Sequence, residues 1–336
     1  MVGTSEEPIT LPAASNGDAL NHHFCSFGVS EMIYVRLAGG LGNQLFQIAA
    51  AMVADPTGVT PVVPLTGALA RYATTRQPDS LRLLATSLQF QTPTSRTARA
   101  WEWLAVACRA GKWLPGVRLN DDDFQRGLST HGHRQVAIVD GYFQRGWNDA
   151  TLARATLRMP TSPPRLAAAS RIEPDECVVH VRGGDFLQLP AYQVAGFAYY
   201  TAAIRAAQSA GYLRFAVLTD DPEHAERLRA RMNDCLPEIF IRVIAPSTDP
   251  LVDFDTLRCA AARVIGNSTF AWWAAALDSN QAKTWSATAF TRDEKRDYYL
   301  PWEIPIQAEL PAVEHFSQAR DRVAIICDAD NGAQFR

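Results

Sequence analysis

Residues 177–186 read CVVHVRGGDF, and the rest of the chain is best read outward from them. Val178, Val179 and Val181 form an apolar, β-branched run that ends in His180, Arg182, Gly183, Gly184 and Asp185. A strand that is apolar on both faces belongs inside a parallel sheet, and polar groups at its end mark the carboxyl edge. Ligands of open α/β sheets sit just beyond that edge. An always-charged Arg182, beside two glycines that allow close approach to the backbone, suits a phosphate or carboxylate ligand. A solvated turn with one surface arginine suits the same residues, so the stretch alone does not choose.

Downstream, strands and helices alternate at the lengths of βαβ units. Helices are expected over 197–210, 223–235, 250–262 and from 268 onward, with strands over 214–219, 241–245 and 263–267. This is the pattern of a doubly wound parallel sheet. Upstream, residues 32–37 read as a strand and AGGLGNQ as a glycine-rich turn. A helix follows, with Leu45, Ile48, Ala49 and Met52 at spacings of three and four. Residues 56–67 hold a further strand, 81–118 a mostly helical stretch packed through Trp101, Trp103, Leu104 and Trp113, 120–135 a polar loop, and 136–143 a strand and turn. Pro160, Pro163 and Pro164 place a domain boundary at about 160–175. The expected organisation is a disordered leader (1–31), two Rossmann-like units (32–165 and 170–318) and a tail (319–336).

A chain of 336 residues accommodates two such units. At 47% hydrophobic and 20% charged it has an ordinary globular composition, and a net charge of −3 provides no basic footprint for nucleic acid. The cysteines are scattered without a CxxC pair, so buried free thiols are expected rather than a disulfide framework. No run reaches the roughly 18–20 apolar residues of a transmembrane helix. The leader lacks both a basic start and an apolar core, unlike a secretory signal, and regular structure is expected from Met32. The chain is expected to be cytoplasmic.

Four strand-to-helix junctions carry the chemistry. In Gly39-Gly40-Leu41-Gly42-Asn43-Gln44 a dinucleotide fingerprint would need glycine where Leu45 stands. The loop can still offer N–H groups to an anion, while Asn43 and Gln44 can bond a polyhydroxylated ligand. The 177–186 stretch is the second. At the third, Asp220 and Asp221 can accept from ribose hydroxyls or a guanine edge, or cap the next helix. The fourth, Gly266-Asn267-Ser268-Thr269-Phe270, offers hydroxyls and free N–H groups at a helix start, again with capping as the other use; Trp272 and Trp273 behind it are expected to pack. His131 and His133, like His22 and His23, lack a zinc-type ligand set.

Together the junctions resemble the α-1,2-fucosyltransferase family, glycosyltransferase family eleven. RLAGGLGNQLFQIA, HVRGGDF, LTDDPE and IGNSTFAWW occur in the family's order and near its spacing, and GYFQRGWND (141–149) resembles a further segment. The resemblance spans about 32–300. It implies a GT-B-like fold, α/β with two doubly wound domains facing across a cleft, and inverting transfer from GDP-β-L-fucose without a metal or other cofactor. His180, Arg182 and Asp185 match the His, first Arg and Asp of the family's HxRRxD element. Gly183 stands where the second Arg is usual, and Phe186 replaces a usual Tyr.

What the resemblance implies is transfer of L-fucose to the 2-hydroxyl of a galactose-terminated oligosaccharide, in bacterial surface-glycan assembly, with room for peripheral membrane contact. Arg182 and Asp185 are the expected catalytic pair, Arg182 on the diphosphate and Asp185 as base or as the group orienting Arg182. His180, Asp220, Asp221, Asn267, Ser268, Thr269 and Phe270 are the expected donor contacts, with Gly42, Asn43 and Gln44 in the acceptor cleft. Another GDP-fucose-dependent linkage, or a GDP-sugar-binding protein with impaired catalysis, is the alternative that Gly183 keeps open.

Overall fold

A computed structural model describes residues 33–55, 62–65, 79–84, 117–127, 136–159 and 161–307. The expected leader, the Trp101–Trp113 packing group, His131, His133 and the tail lie outside the described residues. Two sheets are present, both wholly parallel. The first uses β1 (Ile33–Arg36), β2 (Val62–Leu65), β3 (Val117–Leu119) and β4 (Val136–Val139) in the order β2-β1-β4-β3. The second uses β5 (Glu176–Val181), β6 (Arg214–Thr219), β7 (Phe240–Ile244), β8 (Ala262–Ile265), β9 (Thr284–Ala287) and β10 (Glu303–Ile306). Its order, β10-β9-β8-β5-β6-β7, is the doubly wound one in which the winding reverses between β5 and β8. The protein is α/β with two parallel sheets.

The apolar run of β5 is buried along its whole length, and its two-residue alternation serves two cores. Cys177, Val179 and Val181 pack with Tyr199, Tyr200, Phe215 and Val264 on one face. Val178, on the other, joins a cluster that continues through Ile265, Trp272 and Trp273 into Phe46, Val35 and Val139 of the first unit. His180 shares the parity of Val178 and thus the face turned toward the first unit, and Arg182 follows just past the strand end.

The two units meet through a pair of helices, Leu41–Ala54 and Thr269–Ala276. Phe46 stacks on Trp272 with ring centroids 4.9 Å apart, and meets the edge of Trp273 at 5.1 Å. Both tryptophans pack, as expected. The helices touch at Gly42: a Cβ there would lie 2.3 Å from the carbonyl carbon of Thr269 and 2.4 Å from the Phe270 nitrogen. Only a residue without a side chain admits this approach.

Two expectations are corrected, and two strands join that the sequence did not reveal. The polar stretch 120–135 contains a helix, Asp121–Gln125, whose start is capped by the Asn120 side chain and whose acidic first turn suits the helix dipole. Phe124 anchors it in the core. Strands β9 and β10 were not legible because TWSA and EIPI lack a long apolar run and lie toward the edge of the sheet. Cys177 is buried, but Cys235 and Cys259 are exposed, each at the end of a helix rather than on its packed face.

Candidate active site

The reversal between β5 and β8 opens the second sheet at its carboxyl edge, where Arg182 leaves β5 and Asn267-Ser268 leave β8. A cavity lined by Asp175, Leu213, Arg214 and Phe240 opens instead at the amino edge, near the start of β6 and β7. The carboxyl edge holds the convergent polar groups and is the site.

Arg182 is one-third exposed and held from two sides. One terminal nitrogen lies 2.5 Å from Asp220 Oδ2, the other donates to Asp185 Oδ1 at 2.5 Å, and the guanidinium carbon stands 5.2 Å from the centre of the Phe186 ring. Asp220 also accepts from the Gly183 N–H through Oδ1 at 2.8 Å, so one carboxylate fixes both the arginine and the backbone behind it. Two pairings leave several of the five guanidinium N–H donors for a ligand.

Gly183 is explained by its neighbour. A Cβ at this position would lie 2.4 Å from Asp221 Cβ. What approaches the backbone here is a protein side chain, which corrects the expectation that the glycine makes room for a ligand. Asp221 in turn caps the helix Pro222–Cys235, its Oδ1 accepting from the His224 N–H at 3.0 Å. The two aspartates thus diverge, and their carboxylates do not form a chelating pair. Among the described residues no group of three or more His, Cys, Asp or Glu side chains is arranged for a metal.

Ser268 begins the helix Thr269–Ala276 without a side-chain cap, and Thr269 Oγ1 donates across the units to Asn43 Oδ1 at 3.0 Å. The first N–H groups of that helix are thus left for another acceptor, with the helix dipole behind them. Asn267 is spent on architecture: its amide donates to the carbonyls of Tyr192 at 3.0 Å and Phe290 at 2.8 Å. Buried His180 stacks on Phe270 with centroids 5.7 Å apart. Burial, reinforced by the charge of Arg182, pulls its pKa down to about 3. It is a neutral group here and adds no positive charge.

On the other wall, Asn43 Oδ1 also accepts from the Gln144 side chain at 3.0 Å. Gln44 turns away, donating to the Gly39 carbonyl at 2.9 Å and accepting from Ser80 at 2.6 Å. Gly42 is closed off by the helix contact already described. The sequence reading picked out GYFQRGWND (141–149) as a family-like segment but gave Gln144 no role. Its signal was the polar ending of VAIVDGYFQR, which has the same strand-then-polar form as the 177–186 stretch.

Residues 166–304, which carry β5 through β9 and this carboxyl edge, match Glycosyl transferase family 11. The edge that gathers Arg182, Asp185 and Asp220 is therefore that of a glycosyltransferase. No curated protein sequence matches the chain. Remote likenesses among solved structures include NodZ alpha-1,6-fucosyltransferase soaked with GDP-fucose, at 13% identity and a TM-score of 0.41, over 75% of this chain and 96% of that one. The E. coli ADP-heptose LPS heptosyltransferase II aligns at 10% identity and a TM-score of 0.45, over 82% and 89%. POFUT1 in complex with GDP aligns at 10% and 0.43, over 76% and 96%. Among the described residues no helix is long and apolar enough to cross a membrane.

Proposed function

We propose that this glycosyltransferase is an inverting fucosyltransferase that moves L-fucose from GDP-β-L-fucose to the 2-hydroxyl of a terminal galactose. The observation that carries the reading is Arg182. It stands at the switch point of the second sheet, within the family 11 region, and the neighbouring strand β8 leads into a helix start that no side chain caps. The motifs HVRGGDF and IGNSTFAWW that supply these groups are those of the α-1,2 family.

The chemistry follows from charge. As the bond from fucose to diphosphate lengthens, positive charge grows on the sugar and negative charge on the leaving diphosphate. Arg182 supplies charge-assisted hydrogen bonds to the diphosphate, and the uncapped start of the helix Thr269–Ala276 adds its dipole to them. Asp220 holds the arginine in place. Asp185, paired with Arg182 at 2.5 Å, is better suited to orient it than to take the acceptor proton. Guanosine lies along Asp220 and Asp221, bonding through lone pairs that their protein contacts leave over. The acceptor enters between this edge and the wall bearing Asn43 and Gln144, opposite the diphosphate, so its attack inverts the anomeric centre. No step is assigned to a metal.

The missing second arginine does not favour a non-catalytic protein, because Gly183 is accounted for by packing against Asp221. The proposal sets the reaction in the bacterial cytoplasm, in surface-glycan assembly, with peripheral membrane contact allowed, and rests there on the family resemblance alone. Incubation with GDP-fucose and lactose, followed by linkage analysis, tests the reading. A 2-linked galactose in the product supports it. Fucose on another hydroxyl removes the α-1,2 assignment, and GDP binding with neither transfer nor hydrolysis removes the enzyme assignment.

A further inference from the structure

Beyond Arg182 the chain makes two tight turns, Gly184–Gln188 and Pro190–Tyr192, and these bring two aromatic rings together. Phe186 and Tyr192 lie with centroids 4.9 Å apart, and Arg182 covers Phe186. The result is a short stack running from the arginine to Tyr192.

The turn is fixed from several directions. The Asn267 amide donates to the Tyr192 carbonyl at 3.0 Å, the Arg292 N–H to the Ala191 carbonyl at 2.8 Å, and the Gln193 amide to the Leu187 carbonyl at 2.8 Å. Yet the Tyr192 side chain is 39% exposed. A large ring whose backbone is pinned and whose surface is left open is preorganised for a ligand.

The surroundings say which kind. Tyr192 is partly buried, which raises its pKa, and the phenol of Tyr142 and the carboxylates of Glu294 and Asp185 act in the same direction. Tyr142 belongs to the loop of the first unit, whose Gly146 N–H donates to Asp297 of the second at 3.0 Å. The ring thus lies within electrostatic reach of Tyr142 from the first unit and of Glu294 and Asp185 from the second. An anionic ligand is repelled there. A neutral, hydroxyl-rich one is not, because carboxylates accept from hydroxyls while a ring face packs against sugar C–H groups.

We propose that Tyr192, backed by Phe186, is the platform on which the acceptor sugar stacks, a neutral pyranoside with its hydroxyls toward Asp185 and Glu294. This rests on the transfer reading above and adds the acceptor subsite to it.

Lactose binding followed by ligand-observed saturation-transfer NMR, with GDP affinity measured separately by calorimetry, tests the platform. Tyr192→Ala weakens lactose roughly tenfold or more, Tyr192→Phe stays within about threefold, and both bind GDP within about twofold of the wild type. Unchanged lactose binding by Tyr192→Ala overturns the proposal, as does joint loss of GDP and lactose, or a wild type that shows no lactose contact with or without GDP. Should lactose behave as expected while the wild type neither binds nor turns over GDP-fucose, the platform stands and the transfer reading falls.

Discussion

Asp220 Oδ2 lies 2.5 Å from a terminal guanidinium nitrogen of Arg182, while its Oδ1 accepts from the next backbone N–H, that of Gly183, at 2.8 Å. One carboxylate therefore sets both the aim of the arginine and the path of the chain behind it. The pair is about one-third exposed, so its worth lies in orientation more than in folding energy.

Asp220→Asn separates those roles, since the amide oxygen can still accept from Gly183 while the negative charge facing Arg182 is lost. The expected result is a fall of roughly tenfold in kcat/KM for GDP-fucose with little change in melting temperature. Steady-state kinetics beside a thermal melt make the comparison, and unchanged kinetics would remove Asp220 from the positioning role.

Gly183→Ala puts a Cβ 2.4 Å from that of Asp221, at the start of the helix Pro222–Cys235. Overpacking of this kind costs about 1–3 kcal/mol. Gly183→Arg, which restores the family's usual residue, meets the same obstacle, so it should lower stability and bring no gain in turnover. Chemical denaturation and the transfer assay read both.

The junction of the two units gives a matched pair. Gly42→Ala drives a Cβ to 2.3 Å from the Thr269 backbone and should cost about 1–3 kcal/mol. Gly40→Ala, two residues earlier, has nothing within 4 Å of the new atom and loses only a favourable N-cap glycine; it should cost less than Gly42→Ala, at most about 1 kcal/mol. Urea denaturation of the two variants tests whether the helices meet as described.

His180 gives the pH dependence. Its pKa is about 3 in the folded chain and near 6.5 when unfolded, so between these values the unfolded state carries a proton the folded state lacks. The stability it contributes is present above about 6.5 and is lost as pH falls through that value toward 3, with a slope approaching about 1.4 kcal/mol per pH unit. His180→Phe should flatten that part of the profile. Denaturation midpoints measured from pH 7 down to pH 5 provide the check.

The second sheet was legible because its buried strands are continuous apolar runs followed by polar punctuation, as in Val178–Val181 and then Arg182. The short strands around Trp285 and Ile304 lack that contrast: TWSA is buried between two neighbours yet holds no long apolar run, and EIPI forms the edge. At the site, residue types predicted location well: Arg182, Asp185 and Asp220 do meet. What sequence could not tell is which oxygen each group spends on the protein itself. Asn267 and Gln44 are polar residues in suggestive places, yet their amides are committed to carbonyls at Tyr192, Phe290 and Gly39. Gly183 resembled an opening for a ligand, and only the fold shows Asp221 filling it.

The most direct test is the rate of fucose transfer from GDP-fucose to lactose by the wild type and by Arg182→Ala. Loss of the leaving-group arginine should lower turnover roughly 100- to 1,000-fold, as removal of a transition-state donor does elsewhere. An Arg182→Ala enzyme with near-normal turnover would contradict the account.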